Sequence, residues 1–172
     1  MKMKLLFIIA YVFLIVSPAR AETAEIINEY ASKALDRDNY KETNGIVELY
    51  GIRTNGPDTK GGQLACAKVV TIILLKAGVV KEVFLGVGHV EKVLKNWEKV
   101  KNKKKLKQGD IVIWVNRFKG RTDNRCTGGG NCHVGIVTEK GYFHNSPISN
   151  APTFGGISLL AFKFKIGFRP PD

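Results

Sequence analysis

Gly61-Gly62-Gln63-Leu64-Ala65-Cys66-Ala67-Lys68-Val69-Val70 is a glycine turn that runs straight into an apolar helix, with one cysteine in the first helical turn. A helix amino terminus offers unpaired backbone N–H groups and the positive end of the helix dipole, and both favour a thiolate over a thiol. Cys66 is therefore a candidate nucleophile. Its other reading is a small buried hydrophobe, as free cysteines frequently are, and a base elsewhere in the chain decides between the two. Val69, Val70, Ile72, Ile73, Leu74 and Leu75 leave almost no polar face before Gly78. Residues 64–77 thus predict a buried helix that would hold Cys66 rigidly.

On the carboxyl side, residues 89–100 read as a second helix with Val90, Val93, Leu94, Trp97 and Val100 inward. The lysine-rich run 101–107 reads as a solvated turn. The pattern then changes to short strands at 111–115, 133–138 and 142–146, the last two joined by Glu139-Lys140-Gly141. Near the end Phe162, Phe164, Ile166 and Phe168 alternate with Lys163, Lys165 and Gly167, which predicts a half-buried strand with its lysines outside. On the amino side, residues 24–37 carry Ile26, Ile27, Tyr30, Ala31, Ala34 and Leu35 at helical spacing. Between 38 and 62 the turn formers Asn44-Gly45, Asn55-Gly56-Pro57 and Gly61-Gly62 cut the chain into short pieces, with one strand expected at 46–50. Helices first and antiparallel strands afterwards predict an α+β domain with amino-terminal helices packed on a small antiparallel sheet.

A thiol nucleophile needs an imidazole to take its proton. His133 opens one predicted strand and His144 lies in the next, so a hairpin around 139–141 would bring both rings to one face. Cys66, His133 and His144 then form a nucleophile, a base and an orienting partner. Asn145 is the fallback for the third role, although strand alternation points it to the opposite face. His89, following Gly86-Val87-Gly88, reads as a surface or capping residue, with the role of base as its alternative.

The first residues, Met1-Lys2-Met3-Lys4, precede an apolar run over 5–16 and then Ser17-Pro18-Ala19-Arg20-Ala21. This is the pattern of a secretory signal peptide over 1–21, too short for a comfortable membrane span; an uncleaved anchor is the other reading. Cleavage after Ala21 leaves residues 22–172 as one domain, and lowers the formal charge from +12 to +9 because Lys2, Lys4 and Arg20 depart with no acid. An exported basic chain points to an anionic wall polymer or membrane surface before nucleic acid.

Between Trp114 and His133 lies an insertion with Arg117, Lys119, Arg121, Arg125 and the stretch Cys126-Thr127-Gly128-Gly129-Gly130-Asn131-Cys132. The glycine run lacks the Gly-Lys-Ser/Thr ending of a phosphate loop. Two cysteines in an exported chain suggest a Cys126–Cys132 disulfide that leaves Cys66 as the free thiol. Two free thiols, or a metal site that adds a histidine, are the alternatives.

Cys66-Ala67 opening an apolar helix, Leu106-Lys107-Gln108-Gly109-Asp110-Ile111-Val112-Ile113-Trp114, then His133-Val134-Gly135-Ile136-Val137 and Gly141-Tyr142-Phe143-His144-Asn145-Ser146 resemble the ordered motifs of NlpC-like and CHAP-like cysteine peptidases. These are papain-like enzymes that cut peptidoglycan peptides. The resemblance covers roughly residues 63–170 and implies a papain-like fold, with Cys66 attacking, His133 as base and His144 orienting it. The chain departs from the Asp-Cys-Ser-Gly nucleophile motif of many NlpC-like members, since it reads Ala65-Cys66-Ala67-Lys68. For the oxyanion, the Cys66 backbone N–H is the constant donor, joined by the Gln63 amide or the Tyr50 hydroxyl.

The expected function is an exported, cofactor-free cysteine hydrolase of peptide or amide bonds in peptidoglycan stem peptides. A non-catalytic wall-binding module of the same fold and a secreted protease or toxin acting on other substrates are the alternatives. Peptidoglycan is the expected partner and a protein inhibitor a further one. Nucleic acid, a bound metal and stable membrane insertion after cleavage are not expected.

Overall fold

Asn44-Gly45 and Tyr50-Gly51 set the amino-terminal architecture, because all four residues have positive φ (50°, 74°, 51° and 75°). Paired positive φ values make two-residue hairpin turns whose twist matches the strands they join. Hence β1 (Tyr40–Thr43), β2 (Ile46–Leu49) and β3 (Ile52–Arg53) form a three-stranded antiparallel meander, where one strand was expected. The computed structural model describes residues 22–62, 64–117, 126, 132–157 and 161–171. Residues 1–21, where a signal peptide is expected, and most of the 118–131 insertion lie outside the described residues.

The main sheet has six antiparallel strands in the order β4-β9-β5-β6-β7-β8. They are β4 (Glu98–Val100), β5 (Ile111–Asn116), β6 (Cys132–Thr138), β7 (Gly141–Asn145), β8 (Pro152–Gly155) and β9 (Phe162–Arg169). Among the described residues it is accompanied by the α-helices α1 (Thr23–Ser32), α2 (Cys66–Lys76) and α3 (Val87–Val93). The expected α+β class is therefore present, with strands predominating. The second helix is shorter than residues 89–100: it ends at Val93, passes through a 3-10 turn, and the chain becomes strand β4 because Glu98, Lys99 and Val100 pair with Arg169, Phe168 and Gly167. Tertiary pairing at a sheet edge overrides the helical spacing of Trp97 and Val100.

Alternation gives the sheet two chemically distinct faces. Ile111, Ile113, Val134, Ile136 and Phe143 share one core with Ile27 and Ala31 of α1 and with Ala67, Val69, Val70, Ile72, Ile73 and Leu74 of α2. Each of these large aliphatic side chains would cost about 2–5 kcal/mol if cut back to alanine. The opposite face gathers Val112, Trp114 and Ile157, with Tyr142, Phe162 and Phe164 against them.

Strand β9 crosses between these faces. Ile113 pairs with Ile166 while its neighbour Trp114 pairs with Phe164, so Lys165 is an extra residue in a bulge. The bulge sends Phe162 and Phe164 to the Trp114 face, and Ile166 and Phe168 to the helix face. An unbroken period of two had predicted all four on one side. Lys165 itself turns to Glu91, with Nζ 2.7 and 2.8 Å from the two carboxylate oxygens.

Candidate active site

Helix α2 begins at Cys66, and its N-cap Ala65 supplies no side-chain acceptor. The residue is half-buried. Its thiol lies against the backbone N–H of Val134, the residue after His133, and against those of Ala67 and Cys66 itself. Burial dominates its acidity and raises the thiol above its ordinary value, while these three N–H groups pull the other way by stabilising a thiolate. The packing of α2 on β6 thus brings the helix-start thiol to the peptide link that follows the expected base.

His133 and His144 are both buried, 5% and 6% exposed. In the β6–β7 ladder Gly135 stands opposite His144, so His133 is its diagonal neighbour on the same face. The rings meet with His133 Nε2 3.0 Å from His144 Nδ1. Trp114 and Phe162 flank His133, at ring separations of 6.1 and 5.5 Å. Burial first, and then the neighbouring His144, pull the His133 pKa from 6.5 down to about 3. His144 is also lowered by burial, with the Asn145 backbone opposing it. Both imidazoles are therefore neutral at neutral pH and share one hydrogen bond. When the His133 Nε2–H donates to His144 Nδ1, the lone pair of His133 Nδ1 is left as the basic site. The register places both rings on the Trp114 face of the sheet, whereas α2 and Cys66 pack on the other face. Among the described residues no hydrogen bond joins the thiol to either ring, so the expected Cys–His contact is not formed in this structure.

Asn145 does point away from the histidine pair, as alternation required. It is 1% exposed, and its Nδ2 donates to Gly62 O at 2.7 Å. Gly62 O also accepts from Ala65 N, at 3.1 Å. Asn145 therefore ties the strand that carries His144 to the turn that delivers Cys66. Its Oδ1 is buried and has no partner among the described residues. Gly62 has φ of +100°, and a Cβ there would meet Asn150 O at once. Gly62 is thus needed for close packing and Gly61 for its positive φ of 64°, a signal present in the sequence, whereas the Asn145 contact was not legible from spacing.

Tyr50 has to be withdrawn as an oxyanion donor. It occupies a hairpin turn, its hydroxyl donates to Tyr30 O of α1 at 2.7 Å, and its ring faces Lys76 Nζ at 5.8 Å. Lys76 is the last residue of α2, ten positions and about 15 Å of helix rise from Cys66. Gln63 lies outside the described residues. His89 is exposed on α3, with Phe84 as its ring neighbour at 6.3 Å.

Cys126 and Cys132 form the expected disulfide. Cys132 opens β6 immediately before His133, and Lys165 Nζ approaches Cys126 Sγ to 3.6 Å. Cys66 is the free cysteine. No group of three or more His, Cys, Asp or Glu among the described residues is placed to hold a metal ion. No protein-family model, curated protein or solved structure matches the chain.

Proposed function

We propose that this chain is an exported cysteine hydrolase, papain-like and of the NlpC-like or CHAP-like type, that cleaves a peptide or amide bond in peptidoglycan stem peptides. One observation carries the reading: the 3.0 Å contact between His133 Nε2 and His144 Nδ1 on the strand whose next N–H faces the Cys66 thiol. In the reaction, Cys66 Sγ attacks the scissile carbonyl carbon and its proton passes to His133 Nδ1 after that ring, which rests on the Trp114 face, turns past the start of β6 toward α2. His144 holds the ring in that tautomer and stabilises the imidazolium. Backbone N–H groups at the start of α2 face the developing oxyanion. His133 then returns the proton to the leaving amine, and water hydrolyses the thioester with the same imidazole as base.

Digestion of purified sacculi, with the released fragments read by mass spectrometry, tests the proposal. New amine and carboxyl ends from the protein of residues 22–172 are expected, abolished in Cys66→Ala and His133→Ala and by a thiol alkylating agent. His144→Ala should lose about 10- to 1000-fold, as orienting members of such sites do. Full activity in Cys66→Ala would overturn the reading. The protonated thiol, with no hydrogen bond to either imidazole among the described residues, favours the second reading, a wall-binding module, and sedimentation with sacculi without cleavage would select it. Cleavage of casein but not of sacculi would indicate a general protease.

A further inference from the structure

Eight lysines lie between residues 92 and 107, with Glu98 as the single acid among them. All eight are exposed. Among the described residues none of them is in an ion pair, and Glu98 is engaged by Arg169 at 3.4 Å. Like charges so close together repel, and a solvated turn would let them spread.

The chain beneath them is instead fixed. Leu94 and Val100 are buried, and β4 is paired to β9. The Asn102 side chain accepts from Lys104 N at 2.9 Å and caps a 3-10 turn over Lys103–Lys105. Arg169 Nη2 donates both to Lys105 O at 2.8 Å and to Asp110 Oδ2 at 3.0 Å, Nε donates to Asp110 Oδ1, and the buried carboxylate also accepts from Lys107 N at 2.8 Å. A Cβ on Gly167 would meet Leu106 at 2.6 Å, so the segment is packed closely on β9. The fold therefore holds the backbone of this patch in a set arrangement, with Lys103 Nζ over the Tyr142 ring at 5.8 Å and the other seven amines in no ion pair among the described residues.

We propose that this array is a docking surface for a linear, non-aromatic polyanion of the cell surface that carries repeated phosphate groups. Lysines act as point charges toward phosphate. Single-stranded nucleic acid recognition adds aromatic platforms and arginine, yet no arginine lies between 92 and 107, and the two rings beside the array, Trp97 and Tyr142, are both partly buried, Tyr142 with Trp114 edge-on against it. Binding to a bilayer by insertion uses several apolar anchors; among the described residues Val93 is the one large apolar side chain exposed in the array. The array lies beside residues 167–169 of β9, whereas His133 pairs with Trp114, which pairs with Phe164. Lys103 Nζ also lies 5.8 Å from the Tyr142 ring, which packs on Trp114 beside His133, so the array reaches the sheet face that carries the imidazole pair.

The test measures binding of the protein of residues 22–172 to poly(glycerol phosphate), to oligo(dT) of matched charge and to vesicles of anionic and zwitterionic phospholipid, across a salt series. A variant with Lys101, Lys103, Lys104, Lys105 and Lys107 all changed to Gln is compared with a control in which Lys41, Lys60, Lys76, Lys81 and Lys140 are changed to Gln. Circular dichroism verifies that both are folded. The array variant should bind poly(glycerol phosphate) at least about tenfold more weakly, with a salt slope shallower by about three, while the control stays near wild type. Equal losses in the two variants would overturn the proposal in favour of bulk charge. Tighter binding to oligo(dT) or to vesicles than to poly(glycerol phosphate) would overturn it in favour of that partner.

Discussion

Gly135 lies directly across the β6–β7 ladder from His144, and a Cβ placed on it would meet Phe143 O at 3.0 Å, His144 Cβ at 3.2 Å and Trp114 Cζ3 at 3.4 Å. The missing side chain is what lets the His144 ring lean diagonally over position 135 to reach His133. Gly135→Ala should therefore act as a positioning mutant. Overpacking of this kind costs about 1–3 kcal/mol, and turnover should fall about 10- to 1000-fold, as for His144→Ala. Wild-type turnover in a folded Gly135→Ala protein would show that the imidazole contact is dispensable.

Asn145→Ala removes the Nδ2 donor that reaches Gly62 O and loosens the turn leading to Cys66. A stability loss of about 1–3 kcal/mol follows from losing one buried hydrogen bond. If Asn145 merely stabilised the fold, the reactivity of the Cys66 thiol in the folded state would stay unchanged. We expect its alkylation rate and pH profile to change as well, and Asn145→Asp to do more damage by setting a carboxylate against the Gly62 carbonyl. An unchanged alkylation profile would reduce Asn145 to a structural contact.

The parts of this arrangement that were legible in the sequence are those written in local chemistry. The apolar helix, the strand pair around Glu139-Lys140-Gly141 and the two cysteines each follow from composition or spacing, and the His133–His144 meeting follows from the hairpin. The crossing of β9 was hidden because a bulge at Lys165 leaves period two intact in the letters while reversing the faces. Strand β4 was hidden because its partner lies some seventy residues away. Tyr50 misled for a different reason. Its aromatic hydroxyl suggested an oxyanion donor, but its place beside Gly51 made it a turn residue facing α1.

The Cys126–Cys132 link closes a short loop, which contributes about 2 kcal/mol in the chain-entropy picture. Its larger effect should be on placement, since Cys132 adjoins His133 and Lys165 packs between Cys126 and Glu91. The double variant Cys126→Ser with Cys132→Ser should lose turnover by more than its fall in stability accounts for. Alkylation of the folded, unreduced protein should label one thiol per chain, at Cys66. Labelling of three would show the cysteines to be unlinked.

Stability should fall as the solution is acidified below about pH 6.5. His133 and His144 are both lowered by burial, His133 to about 3. Between these limits the unfolded chain binds protons that the native state refuses. Stability is therefore full above pH 6.5 and is lost as pH falls toward the native value, by up to about 1.4 kcal/mol per pH unit for each histidine. Urea unfolding at pH 8, 6, 5 and 4 measures it, and His133→Gln should flatten the dependence. Equal stability at pH 5 and pH 8 in the wild type would contradict the buried, neutral pair.

The resting protonation state also fixes how the thiol responds to pH. A cysteine paired with an imidazolium is a thiolate well below neutrality and alkylates readily there. Here burial raises the Cys66 thiol and holds His133 neutral, so the free protein should rest as thiol plus imidazole. Iodoacetamide labelling should be slow at pH 5–7 and climb steadily through pH 9. Substrate turnover should reach its plateau at lower pH than labelling does, because His133 Nδ1 takes the proton during attack on the carbonyl and no free thiolate is needed first. His133→Ala should then abolish turnover while leaving the alkaline limb of labelling in place. A labelling plateau already reached at pH 5 would mean a preformed thiolate–imidazolium pair, and with it a different proton inventory for the first step.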